Sequence, residues 1–189
     1  MDTLFNHIKS YVSISDKELS ELKHCMKEET YQKNDHLLKA NDYAKQVHFI
    51  IEGCVRTYII DYNGNEHNIS FSKEDWWFGD LNSFIRNKPA SFNIQALESL
   101  KVLSLNKDKW DYLLNEIPNF VVYTRSLFRN TMFAHEERIL QNLSFTAEQR
   151  YKYFIKKYPE LLQRISQKQI ARYLGVTPEF LSLLRKKIS

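Results

Sequence analysis

The order of apolar and polar residues divides the chain into three stretches. The opening stretch is helical in pattern: Ser15 precedes Asp16, Lys17 and Glu18, and Leu19 and Leu22 follow at helical spacing, so a hydroxyl cap leads an acidic first turn. From Tyr31 the pattern becomes that of strands. Residues 47–51 and 55–60 are rich in β-branched and aromatic side chains and are separated by Glu52-Gly53. Asn63-Gly64 then predicts a hairpin turn in which both residues take positive φ, and residues 69–71 resume the pairing. Two further short strands are expected at 92–96 and 101–105. No helical crossover long enough for a parallel sheet separates them, which points to an antiparallel barrel or jelly roll. After Asn106 the pattern is helical throughout, with a short helix over 107–115 and a long one over 119–143 that contains no Gly or Pro.

Within the long helix Val121, Phe128, Met132, His135 and Ile139 fall at intervals of seven, four, three and four, a coiled-coil-like seam interrupted by Arg125. The stripe predicts either a homodimer through this helix or packing onto the chain's own barrel.

Residues 165–187 carry the most specific pattern. Ser166 caps a helix on which Ile170, Ala171 and Leu174 recur at core spacing, and Gly175 stops it where a left-handed residue is needed. Thr177 supplies the next cap, Pro178 the first helical position and Glu179 an acid at the positive end of the dipole, while Phe180, Leu181 and Leu184 supply a buried side. Two short helices joined by a glycine turn make a helix-turn-helix, whose second helix fits the major groove of duplex DNA.

Charge distribution strengthens that reading. The formal charge is +4, but residues 150–189 hold ten basic side chains against Glu160 and Glu179, so the last forty residues carry +8 and the rest −4. A basic end on an acidic body suits a polyanionic partner. The expected DNA-contacting set is Ser166, Gln167, Lys168, Thr177, Glu179, Ser182, Arg185, Lys186 and Lys187, with Glu179 and Ser182 towards base edges and the terminal cations towards phosphates.

Other chemistry is thinly represented. Two isolated cysteines, Cys25 and Cys54, form neither a disulfide framework nor a metal-binding pair, and six scattered histidines lack metal-ligand spacing, so no metal site is expected. No apolar run approaches the ~20 residues of a membrane helix, and the start Met1-Asp2-Thr3-Leu4 lacks a secretory layout, so no membrane partner and a cytoplasmic location are expected.

These residues resemble the Crp/Fnr family of bacterial regulators over essentially the whole chain. Residues 49–56 are similar to the family's strand and glycine turn, Trp77-Phe78-Gly79-Asp80 to the opening of its phosphate-binding cassette, and residues 165–177 to its helix-turn-helix. The resemblance implies an α+β fold: an antiparallel double-stranded β-helix (jelly-roll) sensor domain with an N-terminal helix over 1–117, a long dimerisation helix over 118–143, and an all-α helix-turn-helix domain over 144–189. It implies a homodimeric transcriptional regulator that reads a palindromic site in double-stranded DNA, with RNA polymerase as a further candidate partner. It places a candidate ligand pocket at Gly79, Asp80, Leu81, Ala90, Ser91 and His135.

Departures from the family pattern narrow the effector. Ala90 stands where nucleotide binders carry an arginine for the cyclic phosphate, Asp80 is one methylene shorter than the usual glutamate, and His135 and Glu136 stand where hydroxyls face adenine. Losing a charge-assisted contact of that kind costs several kcal/mol, so cyclic AMP is not the expected ligand, no cofactor is assigned, and an unidentified small molecule remains the candidate. An iron-sulfur member would need four cysteine ligands where this chain has two. Asp80 and Ser91 have an alternative role, capping the short helix after Gly79 and closing a turn.

At the DNA end, Pro178 and Leu183 occupy positions of two base-reading arginines, and the sequence ends at Ser189 without the family's wing hairpin. These departures leave two other classes open: a regulatory module whose degenerate helix-turn-helix no longer contacts DNA, and, more remotely, a metal-dependent enzyme of the double-stranded β-helix type.

Overall fold

The computed structural model describes residues 1–188. Helices α1 (Asp2–Lys9) and α2 (Asp16–Cys25) precede eight strands: β1 (Lys27–Tyr31), β2 (His36–Leu38), β3 (Gln46–Glu52), β4 (Val55–Ile60), β5 (Glu66–Ser72), β6 (Trp77–Phe78), β7 (Asn93–Ala96) and β8 (Leu100–Asn106). A short helix, α3 (Leu81–Arg86), lies between β6 and β7. The strands form two antiparallel four-stranded sheets, in the orders β1-β8-β3-β6 and β2-β7-β4-β5. Inward side chains of both, among them Ile50, Val55, Phe78, Ile94 and Val102, form the core of the jelly roll.

Local chemistry sets several boundaries as the sequence predicts. Ser15 accepts from the Glu18 amide while the Glu18 carboxylate accepts from the Ser15 amide, a reciprocal capping box at the start of α2. At Gly53 φ is +103°, and an added Cβ would lie 2.5 Å from the Ser99 carbonyl oxygen, so only glycine fits the turn from β3 to β4. The β4–β5 hairpin differs from the expected two-residue turn. Ile60 pairs with Glu66, and of Asn63 and Gly64 only Gly64 takes positive φ, because the Asp61 carboxylate accepts from the Asn63 and Asn65 amides and organises a wider loop.

Some elements have no pattern in the sequence. Helix α1 is held by Leu4 and Ile8, which pack into a cluster with Phe49, Trp110 and Phe120. Strand β1 buries little and β6 has two residues, so hydrogen bonding to β8 and β3 defines them rather than alternation.

The C-terminal part comprises α4 (Lys107–Glu116), α5 (Pro118–Ser144), α6 (Ala147–Lys157), α7 (Leu161–Arg164), α8 (Gln167–Leu174) and α9 (Pro178–Ile188). The first turns of α5 bind the barrel through Phe120, Tyr123 and Thr124; the Tyr123 hydroxyl accepts from Trp77 Nε1 at 2.7 Å and lies 2.7 Å from His7 Nδ1. The seam residues face outwards instead: Val121, Phe128, Met132 and Ile139 are exposed, with Phe133, Leu140 and Leu143 beside them.

Helices α6 to α9 share a cluster of their own, in which Phe154, Ile170, Ala171, Leu174, Leu181 and Leu184 are buried together with Cys54 and Phe71 of the barrel. The helix-turn-helix therefore sits on the outer face of β4 and β5. Phe71 stacks near Tyr173, with ring centroids 5.4 Å apart, so the two bodies share an apolar seam.

Candidate nucleic-acid interface and effector cavity

The two helices at the C-terminal end are built by their caps. Ser166 Oγ accepts from the Gln169 amide at 3.4 Å, Gly175 takes the left-handed conformation with φ +68°, and Thr177 Oγ1 accepts from the Phe180 amide at 3.2 Å. Leu181 and Leu184 turn inwards onto Ile170 and Leu174. Phe180 does not join them: it is 48% exposed, because it lies about 100° round the helix from Leu181 and shares a face with Leu183. The outer surface of α9 thus carries Glu179, Phe180, Ser182, Leu183, Lys186 and Lys187. Ser166, Gln167 and Lys168 at the start of α8 and Thr177 in the turn are exposed as well, and Arg185 is half-buried.

The inner face of α8 is fastened to the barrel by polar contacts. Arg56, 4% exposed on β4, donates to Gln95, Glu66, Asn68 and Gln169, and its guanidinium lies 3.8 Å from the centre of the Tyr58 ring. Asn68 Nδ2 reaches both the carbonyl and the side-chain oxygen of Gln169 at 2.8 Å. Arg172 pairs with Glu66 at 2.6 Å. Arg164 forks onto Glu74 at 2.7 and 2.8 Å and also meets Glu98, and Lys73 pairs with Glu160. Burial pushes the Glu74 carboxyl up, but the Arg164 hydrogen bonds and the Gly53 amide outweigh it and bring its pKa down to about 2.

This pairing revises the charge picture drawn from the sequence. Barrel acids meet Arg164 and Arg172, Glu137 meets Lys157, and Glu148 meets both Lys152 and Lys187. Much of the +8 is therefore spent on holding the helices in place. Among the described residues no salt bridge joins Arg150, Lys156, Lys168 or Lys186 to an acid, and Lys168 and Lys186 belong to the expected DNA-contacting set.

Two cavities flank Gly79. One, of about 310 Å³, is lined by Leu38, Tyr43, Lys45, His48, Gly79 and Asp80. The other, of about 280 Å³, opens between β5, β6, α5, α6 and α8, with Ser70, Gly79, His135, Arg138, Lys157 and Tyr173 on its walls. Of the expected pocket residues, Gly79 thus lines both, Asp80 the first and His135 the second. Leu81, Ala90 and Ser91 line neither; Ala90 is buried in the jelly-roll core and Ser91 is exposed.

The Asp80 carboxylate, 2% exposed, accepts from the Ser83 amide at 3.0 Å and the Ser91 amide at 3.2 Å, so it caps α3 and ties that helix to the approach of β7. His48 has no pattern to announce it in the sequence. Ser104 Oγ donates to Glu29 at 2.7 Å and lies 2.8 Å from His48 Nδ1, which must then be the donor; burial pushes the ring pKa down to about 4, against the pull of Glu29. A neutral imidazole with Nε2 as acceptor results.

Comparison with known proteins agrees with this architecture. Residues 28–116 match the family described as cyclic nucleotide-binding domain. The chain is 28% identical over 186 residues to the "Anaerobic regulatory protein" of Pasteurella multocida, covering 91% of this chain and 67% of that protein. It is 27% identical to the "Fumarate and nitrate reduction regulatory protein" of Yersinia pestis, covering 91% and 73%. Among solved structures, FixK2 from Bradyrhizobium japonicum superposes with a TM-score of 0.75 at 19% identity, covering 86% of this chain and 84% of that one. A CooA mutant from Carboxydothermus hydrogenoformans gives 0.73 at 18% identity, covering 99% and 84%. With the jelly roll, the long helix and the C-terminal helix pair all present, the chain is similar to these regulatory proteins over most of its length, and residues 28–116 match a cyclic nucleotide-binding domain.

Proposed function

We propose that the chain works as a cytoplasmic homodimer that reads a two-fold symmetric duplex site with α9, while the jelly roll senses a small molecule other than cyclic AMP. The observation that carries this is the orientation of α9. Leu181 and Leu184 are used up on α8, and the outer side, with Glu179, Ser182 and Lys186 beside Phe180 and Leu183, faces solvent although the neighbouring α8 is docked on the barrel. Glu179 and Ser182 then reach base edges, and Lys186, Lys187 and Lys168 meet phosphates. Leu183, 67% exposed, is available to a thymine methyl group.

The exposed stripe on α5 supports pairing of two chains along that helix, with the chain divided into a sensor over 1–117, a dimer helix over 118–143 and a DNA-binding part over 144–189. Half-sites about one helical turn apart follow from that symmetry. RNA polymerase is a further partner in keeping with a family of transcriptional regulators. No helix among the described residues is long and apolar enough to cross a membrane.

Fluorescence anisotropy with labelled duplex from the gene's own upstream region tests the assignment. Lys186→Glu with Lys187→Glu should weaken binding at least tenfold and flatten the salt dependence, since phosphate contacts release counterions. Unchanged affinity and slope would remove α9 from the DNA interface.

A further inference from the structure

The cavity between the barrel and the helix-turn-helix holds a cation without a counter-charge. Arg138 on α5 lies with its guanidinium carbon 3.7 Å from the centre of the Tyr173 ring, and Nη2 donates to the Tyr173 carbonyl. Nη1 is sealed from solvent and has no hydrogen-bond partner among the described residues. Among the described residues no salt bridge joins an acid to Arg138, and another cation, Arg150, whose Nε is likewise sealed and unpartnered, acts against its charge. An ionised guanidinium in such surroundings is costly unless an anion compensates it.

The rest of the cavity is suited to a ring. Trp76, Phe92, Tyr153 and Tyr158 supply aromatic walls, and Thr57 and Ser70 add hydroxyls at the barrel end. Lys157, the other cation of the lining, is already neutralised by Glu137 at 2.7 Å. One uncompensated positive charge asks for one negative charge, which a carboxylate supplies and a phosphate dianion exceeds. About 280 Å³ lies at the small end of ligand pockets, room for one or two fused rings.

We propose that this cavity binds a small aromatic monocarboxylate, its carboxylate taken by Arg138 on α5 and its ring enclosed by Trp76, Phe92 and Tyr153. The anion end is thus opposite Ala90, on the long helix and not on the cassette. Because β5, α5 and α8 all contribute walls, the ligand touches both the sensor and the DNA-binding part, and occupancy shifts the equilibrium between their docked and undocked arrangements by its differential affinity. That consequence rests on the regulator assignment; the binding site does not.

Isothermal titration of the full chain with 2-naphthoate and its neutral isostere 2-naphthamide provides the test. Naphthoate should bind one per chain, at least tenfold tighter than naphthamide, and Arg138→Gln should erase that preference while Arg138→Lys retains part of it. Since Arg138 also holds the Tyr173 carbonyl, Ala134→Trp serves as a second variant: Ala134 is an exposed α5 residue on the cavity wall, and the larger side chain should block both ligands without disturbing the core. Binding of neither ligand, equal affinities for the two, an undiminished preference in Arg138→Gln, or naphthoate bound normally by Ala134→Trp would each overturn the proposal. Anisotropy with duplex DNA in the absence of naphthoate separates the two ideas: retained DNA binding with no carboxylate site removes this inference alone.

Discussion

Replacing Arg56 by methionine tests whether one buried guanidinium joins the sensor to the DNA-binding helices. Methionine follows the arginine side chain as far as Nε, so the change removes the guanidinium with its charge and donors and leaves the packing of the stem. Arg56 is 4% exposed and serves Gln95, Glu66, Asn68 and Gln169 at once. Glu66 keeps Arg172 at 2.6 Å and therefore does not become an unpaired buried charge. The three amide oxygens do lose a donor, at about 1–3 kcal/mol for each that stays dry. The Gln169 oxygen keeps Asn68 Nδ2 and Gln95 can turn towards water, so a loss of about 3 kcal/mol is expected, at the lower end of the cost of breaking a buried ionic contact. For a chain of this size that is a fall in Tm of roughly 6–12 °C.

Urea unfolding with Arg56→Met, Gln169→Ala and the double variant separates the interdomain share. The Arg56–Gln169 contact of 3.1 Å should give a coupling energy of about 1 kcal/mol. Hydrogen exchange should also rise in α8 before it rises in β3 or β8. A destabilisation below about 1 kcal/mol with zero coupling would mean that apolar contacts at Phe71 and Tyr173 hold the two bodies together and that the Arg56 network is incidental.

Met132→Glu with Leu140→Glu should convert a dimer into a monomer in sedimentation at micromolar concentration and leave helix content unchanged, since the two side chains are 52% and 63% exposed; a persistent dimer would remove α5 from the interface. The depressed Glu74 carboxyl contributes stability that is complete above about pH 4.5 and is lost as pH falls towards about 2. Its partner pair is about a third exposed, so screening leaves about 1 kcal/mol, and urea midpoints at pH 6 and pH 3 should fall further in the wild type than in Arg164→Gln by that amount. Parallel profiles would refute the assignment. Gly53→Ala should cost more than 2 kcal/mol, through φ +103° and the Ser99 carbonyl, whereas Gly64→Ala, with φ +84° and open space around it, should cost about 1 kcal/mol; equal losses by thermal denaturation would contradict the steric argument.

Local signals determine much of this protein from the sequence alone. The Ser15, Ser166 and Thr177 caps, the stop at Gly175 and the short apolar runs of β3, β4 and β8 depend on neighbours a few residues apart, and each lies where the pattern puts it. The inward face of the helix-turn-helix was legible for the same reason, except at Phe180, where a one-residue error in phase separates a buried from an exposed position. Asp80 was legible as a cap, because its partner Ser83 is three residues away. The basic tail was legible only as a sum, and the sum misleads, since Glu66, Glu74 and Glu98 that neutralise Arg172 and Arg164 lie far back in the chain. The His48–Ser104–Glu29 chain, the Arg56 network and the uncompensated Arg138 exist only once sheets and helices bring distant residues together. Periodicity and capping are properties of adjacent residues, whereas counter-charges and cavities depend on which surfaces meet, and that was decided by the docking of α8 against β5.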